Sequence, residues 1–355
     1  MFRVININEQ EEWNNAINNF KEKDIYIDRA YFSSLAKYMN CEVVLLFYEN
    51  GEARICETIQ INDISENKHF KGLIEERKYF DAETPYGYGG LTFENAKEED
   101  FELYYSQKAD WAKQNGIICE FVRFNPLLEN YKFADKNSKV LNVKSTVCVD
   151  LKPEDELMLE LHSKNRNMVR KAQKSGIEII EVEPLENEAE KNNFIDLYIK
   201  TMHRNNAEEF YFFSKEYFEN FFEDMKGKCK LFCAKFDGKT IASAIMIFNN
   251  ENMHYYLSGA DRDYMNLAPN NLLLFKAGLW GYQNGFKKFH LGGGVSDNDA
   301  LFSFKKQFNE KGILPFYIGR TIFDNEKFEF LVDLRKNSDE NFDMEKPFLI
   351  KYRQE

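Results

Sequence analysis

Five cations and no acid lie between Leu161 and Ser175: Lys164, Arg166, Arg170, Lys171 and Lys174. On a helix, Arg166, Arg170 and Lys174 share one face at i, i+4 and i+8, while Lys164 and Lys171 form a second pair at i, i+7. In a chain of net charge −12 this is the strong basic stripe, because an acidic surface elsewhere repels polyanions. It suits an RNA backbone or an anionic lipid headgroup, and equally a solvated helix face. Arg166, Arg170 and Lys174 are the candidate nucleic-acid contacts. Gly292-Gly293-Gly294 would let a ligand approach the backbone. No helix with dinucleotide-fingerprint spacing follows it, so a strand-ending turn reads equally well. The sequence holds no G-x-S-x-G elbow, no H-E-x-x-H and no P-loop. Its six cysteines show no C-x-x-C spacing and have no neighbouring His, so no metal site is expected and the thiols read as reduced core residues.

The elements that must position these residues follow from pattern and punctuation. A chain of 355 residues is too long for one ordinary core, which makes two domains the natural expectation. Asn50-Gly51 between two β-rich runs predicts a hairpin. Helices are expected near 96–115 and 153–174, stopped by Gly116 and Gly176. Two further helices, near 188–204 and 215–225, precede three consecutive strands. A helix near 271–284, a strand, a short helix near 300–308 and a last strand complete the order. WAKQNG at 111–116 and WGYQNG at 280–285 share Trp, Gln, Asn and Gly. Both end a helix and lead into a strand, which argues for internal duplication. The expected architecture is α/β with mixed (α+β) sheets in two tandem domains, 1–152 and 153–323, followed by a charged tail at 324–355 read as a surface helix. Three hairpin-linked strands before a crossover helix resemble the GNAT fold, in which the acyl donor binds where the strands flanking that helix splay apart.

Further blocks carry a family likeness: TPYGYGG (84–90), NRNMVRKAQKSG (165–176), LYIKTMHRNNAEEFYFF (197–213), HYYLSGADRDYMNLAPNNLLLFKA (254–277) and FHLGGGVSDNDALFSFKKQF (289–308). In this order they resemble the Fem-type peptidoglycan-bridge aminoacyltransferases of the GNAT superfamily, over about residues 43–322. The resemblance implies transfer of an aminoacyl group from aminoacyl-tRNA to an amine of a peptidoglycan precursor; related branches imply an acyl-CoA donor and an amino sugar or small amine. It also implies that Lys305 is the functional lysine, beside Phe304, and that Arg204 and Tyr211 contact the acceptor. On residue type alone, Phe304 and Phe308 form an apolar i, i+4 pair that leaves Lys305 in solvent, and Arg204 is a cation at a helix C-terminus. His203 beside it reads either as a base or as a surface histidine.

Acyl transfer needs a neutral attacking amine, a stabilised oxyanion and a protonated leaving group. Phenols can serve here: Tyr86, Tyr88, Tyr255 and Tyr256 lie on segments expected to flank the cleft. Adjacent Tyr255 and Tyr256 must face opposite ways on a strand, so one alone can line it. Tyr256 with Lys305 is the catalytic assignment, and Tyr88 is assigned to substrate. Where CoA-using relatives carry a glycine-bearing pyrophosphate loop, this chain has Asn266-Leu267-Ala268-Pro269-Asn270-Asn271, which disfavours CoA and makes Asn270 a substrate contact. Direct transfer, with no covalent enzyme intermediate and no tightly bound cofactor, is expected. The N-terminus lacks an apolar h-region and no run reaches bilayer length, so a cytoplasmic enzyme is expected, with tRNA and peripheral contact with a membrane-bound precursor as its further partners. A non-catalytic binding protein of the same fold is the remaining alternative.

Overall fold

The computed structural model describes residues 1–346 and 348–354. The chain forms two compact units, Met1–Val143 with Phe316–Glu355, and Lys144–Pro315. The first opens with β1 (Phe2–Asn6), α1 (Gln10–Asn18), α2 (Arg29–Met39), β2 (Glu42–Asn50), β3 (Ala53–Asp63), β4 (Phe80–Glu83), β5 (Thr92–Glu94), α3 (Glu98–Gln114) and β6 (Ile117–Arg123). From β7 (Lys139–Asp150) the chain runs through α4 (Glu154–Glu160), α5 (Ser163–Lys174), β8 (Glu178–Val182), α6 (Glu188–Arg204) and α7 (Lys215–Asp224). There follow β9 (Cys229–Phe236), β10 (Lys239–Asn249), β11 (Asn252–Ala260), α8 (Pro269–Gln283), β12 (Lys288–Gly293) and α9 (Ala300–Lys306). β13 (Ile313–Ile322) and α10 (Asn325–Ser338) return the chain to the first unit.

Within the first unit the strand order is β1-β2-β3-β4-β6-β13, with β5 on β3. Within the second it is β7-β12-β11-β10-β9-β8. Each unit has one parallel neighbour pair, β4–β6 and β11–β12, among antiparallel ones. Parallel neighbours need a crossover connection, and α3 and α8 supply it. The repeated hexapeptide is the stop signal of both crossovers. Asn115 and Asn284 each donate their side-chain amide to the carbonyl of the Trp four residues earlier, at 2.8 Å. Gly116 and Gly285 follow at φ +69° and +87°, a conformation that glycine adopts without Cβ strain. The mixed α/β class and the tandem arrangement agree with the expectation.

The core of the second unit explains why α8 is apolar all round. Leu272, Leu273, Leu274, Phe275 and Ala277 are all buried in it, since α8 lies between the sheet and α5. The facing wall includes alternate residues Val147 and Val149 of β7, with Ala242, Ala244 and Met246 of β10 and Phe289 and Leu291 of β12.

Three boundaries differ from the sequence reading. The first unit ends at Val143 rather than 152, because residues 146–150 pair with β12. The last strand belongs to the first unit, since Ile318–Ile322 pairs antiparallel with Cys119–Arg123. The segment after 323 is no surface tail: Phe328, Leu331 and Val332 of α10 are buried against Ile118 and Cys119. Arg335, 2% exposed, then donates to the carbonyls of Tyr352 (3.2 Å) and Gln354 (2.9 Å), and Arg353 pairs with Asp81. The expected helix over 153–174 is two helices. It breaks at Leu161–His162, where the His162 N–H donates to the Gln307 carbonyl at 2.9 Å and its Nδ1 caps Lys164.

Candidate active site

The parallel ladder between β11 and β12 consists of Asn252↔Lys288, Met253↔Phe289 and His254↔His290, yet β11 continues to Ala260 and β12 to Gly293. The strands therefore part after His254. Both carry an irregularity at the parting. Tyr256 drops out of register against β10, and Leu291 does so against β7. Such bulges bend a strand and raise its local twist, which opens a gap between neighbours that would otherwise stay paired.

Lys305 lies in that gap. Asp299 starts its short helix by accepting from the N–H of Phe302 (2.6 Å) and of Ser296 (3.0 Å). The Lys305 side chain is 7% exposed. Its Nζ donates to the Gly293 carbonyl at 2.7 Å and sits 5.5 Å from the centre of the Tyr255 ring. Gly293 ends β12 and Tyr255 is the first residue of β11 beyond the ladder, so the ammonium bridges the parted strands. No carboxylate among the described residues pairs with it. Burial, with the charge of Lys144 added, pushes its pKa down to about 8 against the opposing pull of Asp299. The sequence reading that left this lysine in solvent is thus excluded, although its Phe304–Phe308 pair exists, with ring centroids 5.4 Å apart.

Lys144 and Asp299 complete the constellation, and sequence reasoning found neither. Lys144 Nζ donates to the Gly294 carbonyl at 2.8 Å, one residue from the carbonyl that holds Lys305. Burial lowers its pKa while Asp299 and Asp297 pull it up. Asp297 in turn accepts from the Ser145 N–H at 2.6 Å and from its hydroxyl at 3.0 Å. The glycine run serves this clamp. A Cβ on Gly293 would lie 2.6 Å from the Ser145 carbonyl oxygen, and one on Gly294 would overlap the Asp299 carboxylate. Asp299 was findable as the capping residue three before Phe302. Lys144 had no local signal, because only the fold brings β7 to that turn.

The crossover helix begins beside the same strand end. Ala268 holds the left-handed conformation, φ +59°, and no side chain caps α8. Pro269 at its first position removes one amide donor, leaving those of Asn270 and Asn271 to face outward from the first turn. Asn271 donates to Asn165 at 2.8 Å, and buried Asn165 donates to the Gln307 carbonyl at 3.3 Å, tying the starts of α8 and α5 to the end of α9. The outer side of α5 exposes Lys164, Arg170, Lys171 and Lys174, whereas Arg166 caps the Leu159 carbonyl at 3.0 Å.

The remaining sequence candidates lie as follows. Tyr256 turns away from Tyr255, with its hydroxyl 2.9 Å from that of Tyr217 and its ring stacked on Phe221; Tyr255 is the tyrosine at Lys305. Arg204 donates to the Ala260 carbonyl at 2.9 Å and to the Thr201 hydroxyl at 3.3 Å, pinning the end of α6 to the end of β11. Tyr211 accepts at its carbonyl from the Tyr198 hydroxyl at 2.7 Å. The His203 ring lies 4.8 Å from that of Phe212. Tyr88 belongs to the first unit, between the rings of Tyr26 (5.4 Å) and Phe316 (5.5 Å), where burial raises its pKa. The six cysteines are free thiols. Among the described residues no three His, Cys, Asp or Glu are grouped to hold a metal ion, and no helix is long and apolar enough to cross a membrane.

Residues 163–306 match the acetyltransferase (GNAT) domain family. No curated protein matches the chain in sequence. Among solved structures the chain is similar to FemX, with a TM-score of 0.68 at 13% identity over 93% of this chain and 99% of that one. It is also similar to the C-terminal domain of a proposed lysylphosphatidylglycerol synthetase from Agrobacterium fabrum, with a TM-score of 0.57 at 16% identity over 92% and 93% of the two chains. L-PGS from Bacillus licheniformis follows at 0.52 and 13%, over 86% and 91%. At these identities the likeness is one of fold.

Proposed function

We propose that this enzyme, whose residues 163–306 match the acetyltransferase (GNAT) domain family, transfers an aminoacyl group from aminoacyl-tRNA to an amine of a peptidoglycan precursor. The observation that carries the reading is Lys305, a buried ammonium with no carboxylate partner among the described residues, held between Gly293 and Tyr255 where the strands part. A group titrating near 8 can exchange its proton at working pH. As the amine nitrogen bonds to the carbonyl carbon, neutral Lys305 takes one amine proton. As the carbon–oxygen ester bond breaks, the resulting ammonium returns that proton to the leaving ribose oxygen. Between the two steps the ammonium stands beside the oxyanion it stabilises. The products are an amide and a free hydroxyl, and the lysine ends as it began.

Two features favour tRNA over acyl-CoA as donor. The first turn of α8 offers few free amides to a pyrophosphate, because Pro269 occupies N1 and no glycine pair precedes it. The exposed cations of α5 lie on the helix that packs against α8, where a nucleic-acid backbone could run. The Fem-type resemblance favours a cell-wall amine as acceptor, with Arg204, Tyr211, Phe304 and Asn270 as its proposed contacts; Tyr255 takes the place first given to Tyr256. The test is single turnover with charged tRNA and a UDP-linked muramoyl pentapeptide, alongside calorimetry with acetyl-CoA. Amide formation from the tRNA donor supports the reading. Acetyl-CoA binding together with no transfer from tRNA would replace it with a small-amine N-acetyltransferase.

A further inference from the structure

Lys144 has no place in the reaction just described, yet the fold goes to some length to hold it. It opens the second unit, and its ammonium sits on the Gly294 carbonyl at 2.8 Å. The neighbouring Gly293 carbonyl holds Lys305 at 2.7 Å. Two ammonium groups on consecutive carbonyls of one turn repel each other, and partial burial weakens the screening between them. Asp299 acts on both ammonium groups and Asp297 on Lys144, and both acids are held in place by hydrogen bonds of their own. Asp297 binds the amide and hydroxyl of Ser145, and Asp299 binds the amides of Val295, Ser296 and Phe302. Their hydrogen bonds keep the two carboxylates in fixed positions, so the net field at Lys305 is set by geometry. Gly293 and Gly294 are the residues that permit this close approach, as a Cβ at either would collide with the clamp.

We propose that Lys144 is a positioning residue for Lys305: its charge, fixed one carbonyl away, disfavours the protonated form of the buried lysine and so supplies the neutral amine that accepts the substrate proton. The charged and titratable groups facing Lys305 are Lys144 from β7, Asp299 from the start of its own helix and Tyr255 from β11; Asp297 acts on Lys144 from the turn. Lys144 opposes the proton, Asp299 favours it, and burial sides with Lys144. This inference rests on the proposed role of Lys305, but it concerns a property of the folded protein that can be read without substrate.

The experiment is NMR titration of lysine side-chain resonances in the full chain, with K305M identifying the Lys305 signal. In the wild type Lys305 should titrate near 8. In K144M, and in K144Q as a second neutral replacement, the midpoint should rise by about one unit or more. K144R, which keeps the charge, should leave it near the wild-type value. In turnover assays the rising limb of the pH profile should move upward with the midpoint in K144M, so that the loss is largest at low pH and vanishes at high pH. An unchanged midpoint in both neutral variants overturns the proposal. If the midpoint moves but K305M retains full turnover, the coupling stands and the proton-carrying role of Lys305 fails. Should K144M not fold, K144Q and K144R carry the comparison.

Discussion

The two crossover helices end with the same cap but begin in different ways. The first turn of α3 carries Glu98, Glu99 and Asp100, and Asp100 folds back to accept the Lys97 amide at 3.0 Å. Three carboxylates satisfy that helix start and repel any anion. The first turn of α8 has no acid and no side-chain cap. The strand gaps differ in the same sense. In the first unit the β4–β6 ladder ends at Glu83↔Phe121, and residues 84–90 return to fill the space beyond it. There the Arg123 side chain donates to the Pro85 carbonyl at 3.1 Å and the Gly87 carbonyl at 3.2 Å, and the Gly89 N–H donates to the Arg123 carbonyl at 2.7 Å. In the second unit the corresponding gap receives the Lys305 ammonium. Attachment of the helix to the sheet differs too. Both helices pack with apolar side chains, but α3 adds a buried mooring, Lys108 between Glu57 and Glu120, with Glu120 Oε2 at 2.7 Å. One ammonium shared by two carboxylates stays charged, and burial lifts Glu120 to about 7. From a common crossover design, the first copy fills its gap with its own chain, as a scaffold would, while the second places the Lys305 ammonium there.

The largest expected effect tests the copy that holds Lys305. Lys305→Met should lower kcat/KM by about 10²–10⁴-fold, the usual worth of a positioned proton carrier, with an unchanged circular dichroism spectrum. It should also erase the rise of activity with pH through about 8. The stability sign is opposite to that of a salt-bridged lysine. A depressed folded pKa means that the unfolded chain binds more protons above about 8, so the contribution of Lys305 to stability improves as pH rises from there towards 10.5.

The scaffold copy should respond in stability instead. Lys108→Met leaves two carboxylates buried without their cation and should cost about 3–5 kcal/mol in denaturant melts. Turnover per folded molecule should be unaffected, and a loss of turnover beyond the loss of folded protein would break the comparison. A subtler probe is Glu120→Gln. Because the folded pKa of Glu120 is raised, the stability it contributes is full below about 4.5 and lost as pH rises through about 7. Melts at several pH values should show the wild type losing ground to the Gln variant across that window. The smallest effect belongs to Asn270→Asp, which gives α8 the acidic start of α3. It should stabilise the helix by about 0.3–1 kcal/mol and raise the KM for a phosphate-bearing donor; an unchanged KM would place that donor away from α8.

Much of the framework was legible in sequence because it is written in local chemistry. The hexapeptide repeat marked both crossovers through a Trp, an Asn that caps back to it and a glycine in the left-handed region. Asn50-Gly51 marked the hairpin, and the order of strands and helices marked the mixed sheet. The misreadings have one source. The segment from 316 to 354 was assigned by chain position, but Arg335, Arg353 and the apolar face of α10 draw it onto β4 and β6 of the first unit. Tyr255 and Tyr256 were known to face apart, but the face that meets Lys305 depends on the bulge that drops Tyr256 from the ladder.

Residue type, periodicity and capping by themselves determined the crossovers and the tandem plan, since these depend on neighbours within a few positions of the chain, whereas Lys305 became a candidate through the family resemblance of its block. The tertiary structure alone decided that Lys305 is buried, that Lys144 stands one carbonyl away and that one of the two gaps receives a lysine while the other is filled by residues 84–90. A buried charge is defined by what surrounds it, and its surroundings here come from β7, β11, β12 and the turn before α9, which lie up to 161 positions apart (from Lys144 to Lys305).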